Sequence, residues 1–341
     1  MGKPLKVHFI SETSFGVKAN GVHTAFLNLI DLMKEGNDIE VVVNDDGYGD
    51  VLHSHTYGPY YFWKGRKYRG KKIFTSHIIP DSINGSMPAA QLIKPLLKLY
   101  LKIVYRYADV IISISPMVEK AIKDLGTKTK IVNIYNPVLV EEWTRTPERR
   151  AAGRKTLGIS ENDFLVIGVG QLQARKGIED FIDIAQAIPN AKFVWVGGRP
   201  MGNLLTEGVE RIDNRIANAS KNIQFTGMID VKEMPEMYAA ADLMLFTSYQ
   251  ENSPLSPVEG AAAGLPVIFR DIEEYVLLYK TPYLKAKNTP EFIEQTKKLM
   301  ENKTTYAEGV ATSTKLIQQF EKSYIRKQLV ELYTSLNDKG K

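Results

Sequence analysis

The chain has 341 residues, 44% of them hydrophobic and 24% charged, with no cysteine and a formal net charge of +5. That length exceeds what one core usually supports, so two domains are expected, and the composition is that of a globular chain. The missing cysteines exclude disulfides, thiolate metal sites and a cysteine nucleophile and fit a cytoplasmic protein, and no run of about 18 apolar residues is present to span a bilayer.

Met-Gly-Lys-Pro-Leu-Lys at the N-terminus reads as the approach to a strand over 6–10, not as a signal peptide. A polar loop over 11–20 leads to Gly21, which opens a helix with apolar Ala25, Phe26, Leu29, Ile30 and Met33. A glycine at such a junction lets backbone amides approach a phosphate. The loop lacks a full Gly-x-Gly-x-x-Gly fingerprint, which argues against a dinucleotide cofactor. Strands follow at 39–43 and 50–55. The second puts His53 and His55 on one face, but no partner stands at ligand spacing, so satisfied strand-end histidines are favoured over a metal site. Residues 72–77 form a fourth strand with His77 at its carboxyl end.

Charge is unevenly spread. Between residues 60 and 130, Lys and Arg number 14 against 4 Asp and Glu, while the rest of the chain is slightly acidic. Residues 61–69 mix aromatic and basic side chains, with Trp63, Lys64, Arg66 and Lys67 at the centre. A helix over 88–108 carries Lys94, Lys98, Lys102 and Arg106 at every fourth position among leucines and tyrosines. Like charges at that spacing are destabilising unless an anion compensates them, and a basic amphipathic helix suits an anionic membrane surface. The competing readings are a solvated face on a core helix, and nucleic acid, for which no recognised motif is present.

A buried strand over 109–115, a helix start at Ser115-Pro116 and a sixth strand over 130–135 complete the first half, an alternating β/α domain over 1–140. The charged stretch 141–155, with Pro147, reads as a linker. The pattern restarts over 156–321. A strand over 164–170 leads through Gly170-Gln171-Leu172-Gln173-Ala174-Arg175-Lys176-Gly177 into a helix. Strands at 192–198 and 222–227 follow, the latter ending in Gly227-Met228. The apolar run Leu243-Met244-Leu245-Phe246 reads as a buried strand, with Glu251 in the loop after it. Pro257 fits the first turn of a helix capped by Ser256, Glu259 lies in that turn, and Gly264 stops it. Two carboxylates eight positions apart thus sit at the carboxyl edge of a doubly wound sheet, where such sheets bind ligands. Helices are expected over 291–300, 306–320 and 323–336.

These motifs resemble the Glu-x7-Glu and Lys-Gly signatures of the family-4 glycosyltransferases. The resemblance implies the GT-B fold: two Rossmann-like domains facing across a cleft, with the last helix (about 322–341) crossing back onto the first domain. By it, Glu259 holds the ribose hydroxyls of a nucleotide-sugar donor, Glu251 and His77 attend its sugar, and Lys176 binds the diphosphate. Gln171 stands where the family has Arg, and Arg175 is expected to replace that charge. Residues 16–21, with Gly21, approach the diphosphate, and the backbone at Gly227 and Met228 meets the base. The family implies retaining transfer with no essential metal and no cofactor. Length, the Arg175-Lys176 pair and the basic segment resemble bacterial enzymes that add a second hexose to glycosyl-diacylglycerol. The expectation is therefore a UDP-hexose-dependent glucosyl- or galactosyltransferase acting on a membrane glycolipid, peripheral on the cytoplasmic face, without nucleic-acid partners. The alternatives are a soluble family-4 enzyme making polysaccharides or glycosides, and a non-catalytic protein that binds a nucleotide or polyanion.

Overall fold

The computed structural model describes residues 3–15, 21–56, 58–83, 90–199 and 209–338. The chain divides into two compact units, one made of residues up to Ser82, Gln91–Val138 and the chain from Phe320, the other built on Leu139–Gln319.

The first unit runs β1 (Leu5–Ile10), α1 (Gly21–Lys34), β2 (Ile39–Val43), β3 (Val51–Ser54), α2 (Pro59–Lys67), β4 (Lys71–Ser76), α3 (Ala90–Arg106), β5 (Val110–Ser113), α4 (Pro116–Asp124) and β6 (Lys130–Asn133). Its strands form one sheet in the order β2-β1-β3-β4-β5-β6, every pairing parallel. Apolar runs such as Val110–Ser113 are buried throughout, as a sheet covered on both faces requires. Ser115 caps α4 by accepting from the Val118 amide at 3.3 Å, with Pro116 at the first position.

The second unit runs α5 (Val140–Trp143), α6 (Pro147–Leu157), β7 (Leu165–Val169), α7 (Ile178–Ala187), β8 (Lys192–Val196), α8 (Val209–Ala217), β9 (Ile223–Phe225), α9 (Met234–Ala240), β10 (Leu243–Phe246), α10 (Ser256–Ala262), β11 (Val267–Arg270), α11 (Glu273–Leu278), β12 (Leu284–Ala286), α12 (Thr289–Glu301) and α13 (Lys303–Ile317). The parallel sheet has the order β12-β11-β10-β7-β8-β9. Strand order reverses between β1 and β3 in one sheet and between β7 and β10 in the other. Outside the carboxyl ends of those strands lies the ligand edge of each unit.

The last helix, α14 (Lys322–Asp338), belongs to the first unit. Ile325, Leu329 and Tyr333 bury its inner face, and the Tyr333 hydroxyl lies 2.7 Å from His53 Nδ1.

Residues 141–155, expected as a linker, instead fold as α5 and α6 in the second unit. The charges that suggested a linker hold α6 down. Arg154, 1% exposed, reaches Asp242 at 2.7 Å and donates to the carbonyls of Ala240 and Asp163, each at 3.1 Å. Arg150 bonds the other oxygen of Asp242 at 3.0 Å. A buried guanidinium with this many acceptors is stable where a lone charge would not be.

Candidate active site

Two loops at the ligand edge of the second unit are laced together. The turn after β7 carries Arg175 and Lys176 and ends at Gly177, whose φ of +69° favours glycine. A Cβ there would lie 2.2 Å from the Thr247 carbonyl oxygen, so Gly177 lets the loop after β10 come alongside. The Tyr249 amide donates to the Arg175 carbonyl at 2.7 Å, and the Thr247 hydroxyl to the Lys176 carbonyl at 3.0 Å. Beneath them Arg270, buried, donates to the Thr247 carbonyl at 2.8 Å and to Asp180 at 2.7 Å. Its guanidinium lies 3.8 Å from the Tyr249 ring centroid. Arg270 and Asp180 drew no attention in the sequence, where they look like ordinary strand-end and helix charges.

This lacing brings three expected site residues to one point. Glu251 is paired with Lys176, and Arg175 Nη1 lies 3.8 Å from its other oxygen. Burial works to raise Glu251, but Lys176 and Arg175 together hold its carboxyl below the usual range. Burial draws Lys176 down, against the pull of Glu251.

Glu259 lies in the first turn of α10, also buried, and accepts from the Tyr238 hydroxyl at 2.9 Å. Burial pushes it up to about 7, while the Tyr238 hydrogen bond works to lower it. The stop at Gly264, with φ +78°, is as the sequence indicated; α10 begins at Ser256 itself, with Leu255 as the cap. Gly227 has φ +71°, and its carbonyl accepts from the Gly197 amide at 3.0 Å. Met228 beside it is half exposed.

In the first unit, Gly21 opens α1, and among the described residues nothing lies within 4 Å of where its Cβ would stand; residues 16–20 of the expected phosphate loop lie outside the described residues. His77 follows β4 and is buried, with Nε2 3.0 Å from His55 Nδ1. Burial draws His77 down to about 4, so the ring is neutral at physiological pH. Both nitrogens of His53 are engaged, by Tyr333 and by Thr75 Oγ1 at 2.6 Å. Among the described residues no cluster of three metal-binding side chains occurs, and the strand histidines act as a packed hydrogen-bonded group.

The basic surface differs in part from expectation. Four residues of a helix exceed a full turn by about 40°, so the row Lys94–Lys98–Lys102–Arg106 winds around α3. Lys94 falls on the inner side and pairs with Asp81. Lys98, Lys102 and Arg106 are exposed. Lys64 is likewise turned inward, its Nζ buried without a hydrogen-bond partner among the described residues, whereas Arg66, Lys67 and Trp63 face solvent. Between these cations lie leucines that composition alone does not separate from those of the core. Leu92, Leu96, Leu99 and Ile103, at spacings of four, three and four, form an outward apolar strip. The first three are 78%, 69% and 58% exposed and Trp63 on α2 is 70% exposed. The opposite side of α3, Leu101, Val104 and Tyr105, is core.

Comparison with known proteins adds to this geometry. The family model described as glycosyl transferases group 1 matches residues 150–316, and the glycosyltransferase family 4 model matches 49–142. The alpha-galactosylglucosyldiacylglycerol synthase of Streptococcus pneumoniae is 32% identical, the match spanning 86% of this chain and 79% of that one. The processive diacylglycerol alpha-glucosyltransferase of Acholeplasma laidlawii is 29% identical over 92% and 93%. Among solved structures, Anabaena HepE in complex with UDP-glucose shares the fold at 18% identity and a TM-score of 0.75, over 97% of this chain and 100% of that one. So does a sucrose-phosphate synthase of Thermosynechococcus elongatus, at 16% identity and a TM-score of 0.78, over 97% and 99%.

Proposed function

The chain belongs to the family-4 glycosyltransferases and has their GT-B fold, and from that premise we propose that it transfers a hexose, with retention, from a UDP-sugar to a glycosyl-diacylglycerol at a membrane surface. On this reading Arg175 and Lys176 take the charge that develops on the leaving diphosphate, helped by the amides at the start of α7. Lys176 then exchanges Glu251 for phosphate, which frees Glu251 for the sugar hydroxyls. Glu259 accepts from the ribose hydroxyls, and neutral His77 hydrogen-bonds the hexose. The acceptor hydroxyl attacks the anomeric carbon from the face that the diphosphate leaves, and its proton passes to the departing phosphate oxygen. On this reading the cations that meet the diphosphate are Arg175 and Lys176.

The observation that carries the lipid acceptor is the outward apolar strip of α3 with Lys98, Lys102 and Arg106 along its flank. An unpaired strip of leucines beside cations suits the boundary between headgroups and acyl chains. Among the described residues no helix is long and apolar enough to cross a membrane, so attachment is proposed as peripheral, on the cytoplasmic leaflet. Two S. pneumoniae and A. laidlawii relatives named for diacylglycerol chemistry support the same acceptor.

Flotation with anionic vesicles at low salt tests this. The protein is expected to float with vesicles of anionic lipid and to float much less after replacement of Lys98, Lys102 and Arg106 by Gln. Absence from the vesicle fraction, with transfer to a soluble sugar instead, would favour the soluble alternative.

A further inference from the structure

Glu259 has a partner that the resemblance did not supply. Tyr238 lies in α9, and its hydroxyl reaches Glu259 Oε2 across the start of α10 at 2.9 Å. No other group among the described residues donates a hydrogen bond to this carboxyl, so Oε1 has no donor among them. Tyr238 is fully buried and is held edge-on against Trp143, with ring centroids 5.6 Å apart and planes at 81°. The helix that carries it is pinned at its end by Arg154 on the Ala240 carbonyl. Gly260, next to Glu259, permits the close approach: a Cβ there would lie 2.6 Å from Met244 Sδ and 3.7 Å from the Tyr238 ring. The hydroxyl therefore stands at a fixed point, aimed at one oxygen of a carboxyl that has a free second oxygen.

We propose that Tyr238 is a positioning residue for nucleotide recognition, holding Oε2 of Glu259 so that Oε1 is presented to the ribose diol of the donor. The proposal rests on the reading of Glu259 as the ribose ligand. A rigid donor on one oxygen fixes the carboxyl plane, and a bond to the ionised form favours that form. Both effects serve a group that must accept hydrogen bonds from a diol. Without the tyrosine hydroxyl, a carboxyl this deeply buried would keep its proton to higher pH, and one oxygen would become a donor facing the hydroxyls.

The experiment compares UDP with 2′,3′-dideoxy-UDP by calorimetry, on the native chain and on Tyr238→Phe, at pH 6, 7 and 8. The native chain is expected to prefer UDP at least tenfold. The variant should bind UDP about tenfold more weakly at pH 7, about 1.4 kcal/mol, with 2′,3′-dideoxy-UDP nearly unchanged. Its loss should shrink at pH 8, as Glu259 ionises again. In a Glu259→Gln background the same change should cost little, since the carboxylate it acts through is gone. Equal weakening of both nucleotides, or an unchanged preference, would overturn the positioning role and leave Tyr238 as a packing residue. A native chain that binds the two nucleotides equally would remove Glu259 from the ribose, and this proposal with it; that result appears in the native arm alone. Should Tyr238→Phe not fold, Tyr238→Met fills the space with a flexible side chain and is read by the same ratio.

Discussion

Replacing Glu259 by Gln should make the protein more stable than the native chain, by an amount that grows as the pH rises from about 5 through 7. The carboxyl is buried and its folded value is raised from 4.5 to about 7. The folded chain therefore holds this proton more tightly than the unfolded chain does. The associated stability is fully present below about pH 4.5 and is lost as the pH rises through 7. At about 1.4 kcal/mol for each unit of difference, the native chain gives up about 3 kcal/mol between those limits. Gln keeps the shape, can accept from Tyr238 and does not titrate. Urea unfolding at pH 5, 6, 7 and 8, followed by tryptophan fluorescence, reads the effect, because Trp143 packs against Tyr238. The variant should match the native chain at pH 5 and exceed it by about 3 kcal/mol at pH 8. A difference that is constant with pH, or that favours the native chain at pH 8, would refute the claim that burial dominates this carboxyl. The same substitution should weaken UDP binding, the trade expected where a site is held in a costly ionised state.

Four further outcomes follow from the geometry. Arg154→Leu leaves Asp242 short of its closest cation and should destabilise the second unit by about 3 kcal/mol, seen as a lower urea midpoint. Gly177→Ala forces a left-handed residue against the Thr247 carbonyl and should cost about 2 kcal/mol or more while lowering UDP affinity, because the loop bearing Glu251 must move. The double change Leu96→Glu and Leu99→Glu should abolish vesicle flotation without shifting the thermal midpoint, since both side chains are mostly exposed. Lys94→Gln, by contrast, should leave flotation nearly unchanged because that lysine is already paired.

The alternating β/α architecture was legible because parallel strands buried on both faces appear as short apolar runs, as at Leu243–Phe246, and because glycines such as Gly264 mark helix ends. The placement of Glu251 in the loop after β10 and of Glu259 in the first turn of α10 was legible through spacing and setting. What escaped was decided by contacts distant in sequence. Arg150 and Arg154 look like linker charges until Asp242, far along the chain, supplies their partner. Tyr238 looks like one more core aromatic, since nothing local reveals that its hydroxyl meets Glu259 across an intervening strand. On α3 the four-residue spacing identified the cations but not the slow winding that turns Lys94 inward, and composition alone did not separate the buried leucines from the exposed strip of Leu92, Leu96 and Leu99. Loss of the 141–155 linker has the same origin: a Pro and many charges describe a helix start with long polar side chains as well as they describe a loop.

The central claim, a UDP-hexose donor site serving a lipid acceptor, is tested most directly by incubating the protein with labelled UDP-glucose or UDP-galactose and vesicles containing monoglycosyl-diacylglycerol. The account predicts label in the organic phase as a diglycosyl lipid, dependent on that acceptor and lost in Glu251→Ala. Label that stays in water with every lipid offered, or that reaches a soluble sugar equally well, would contradict it.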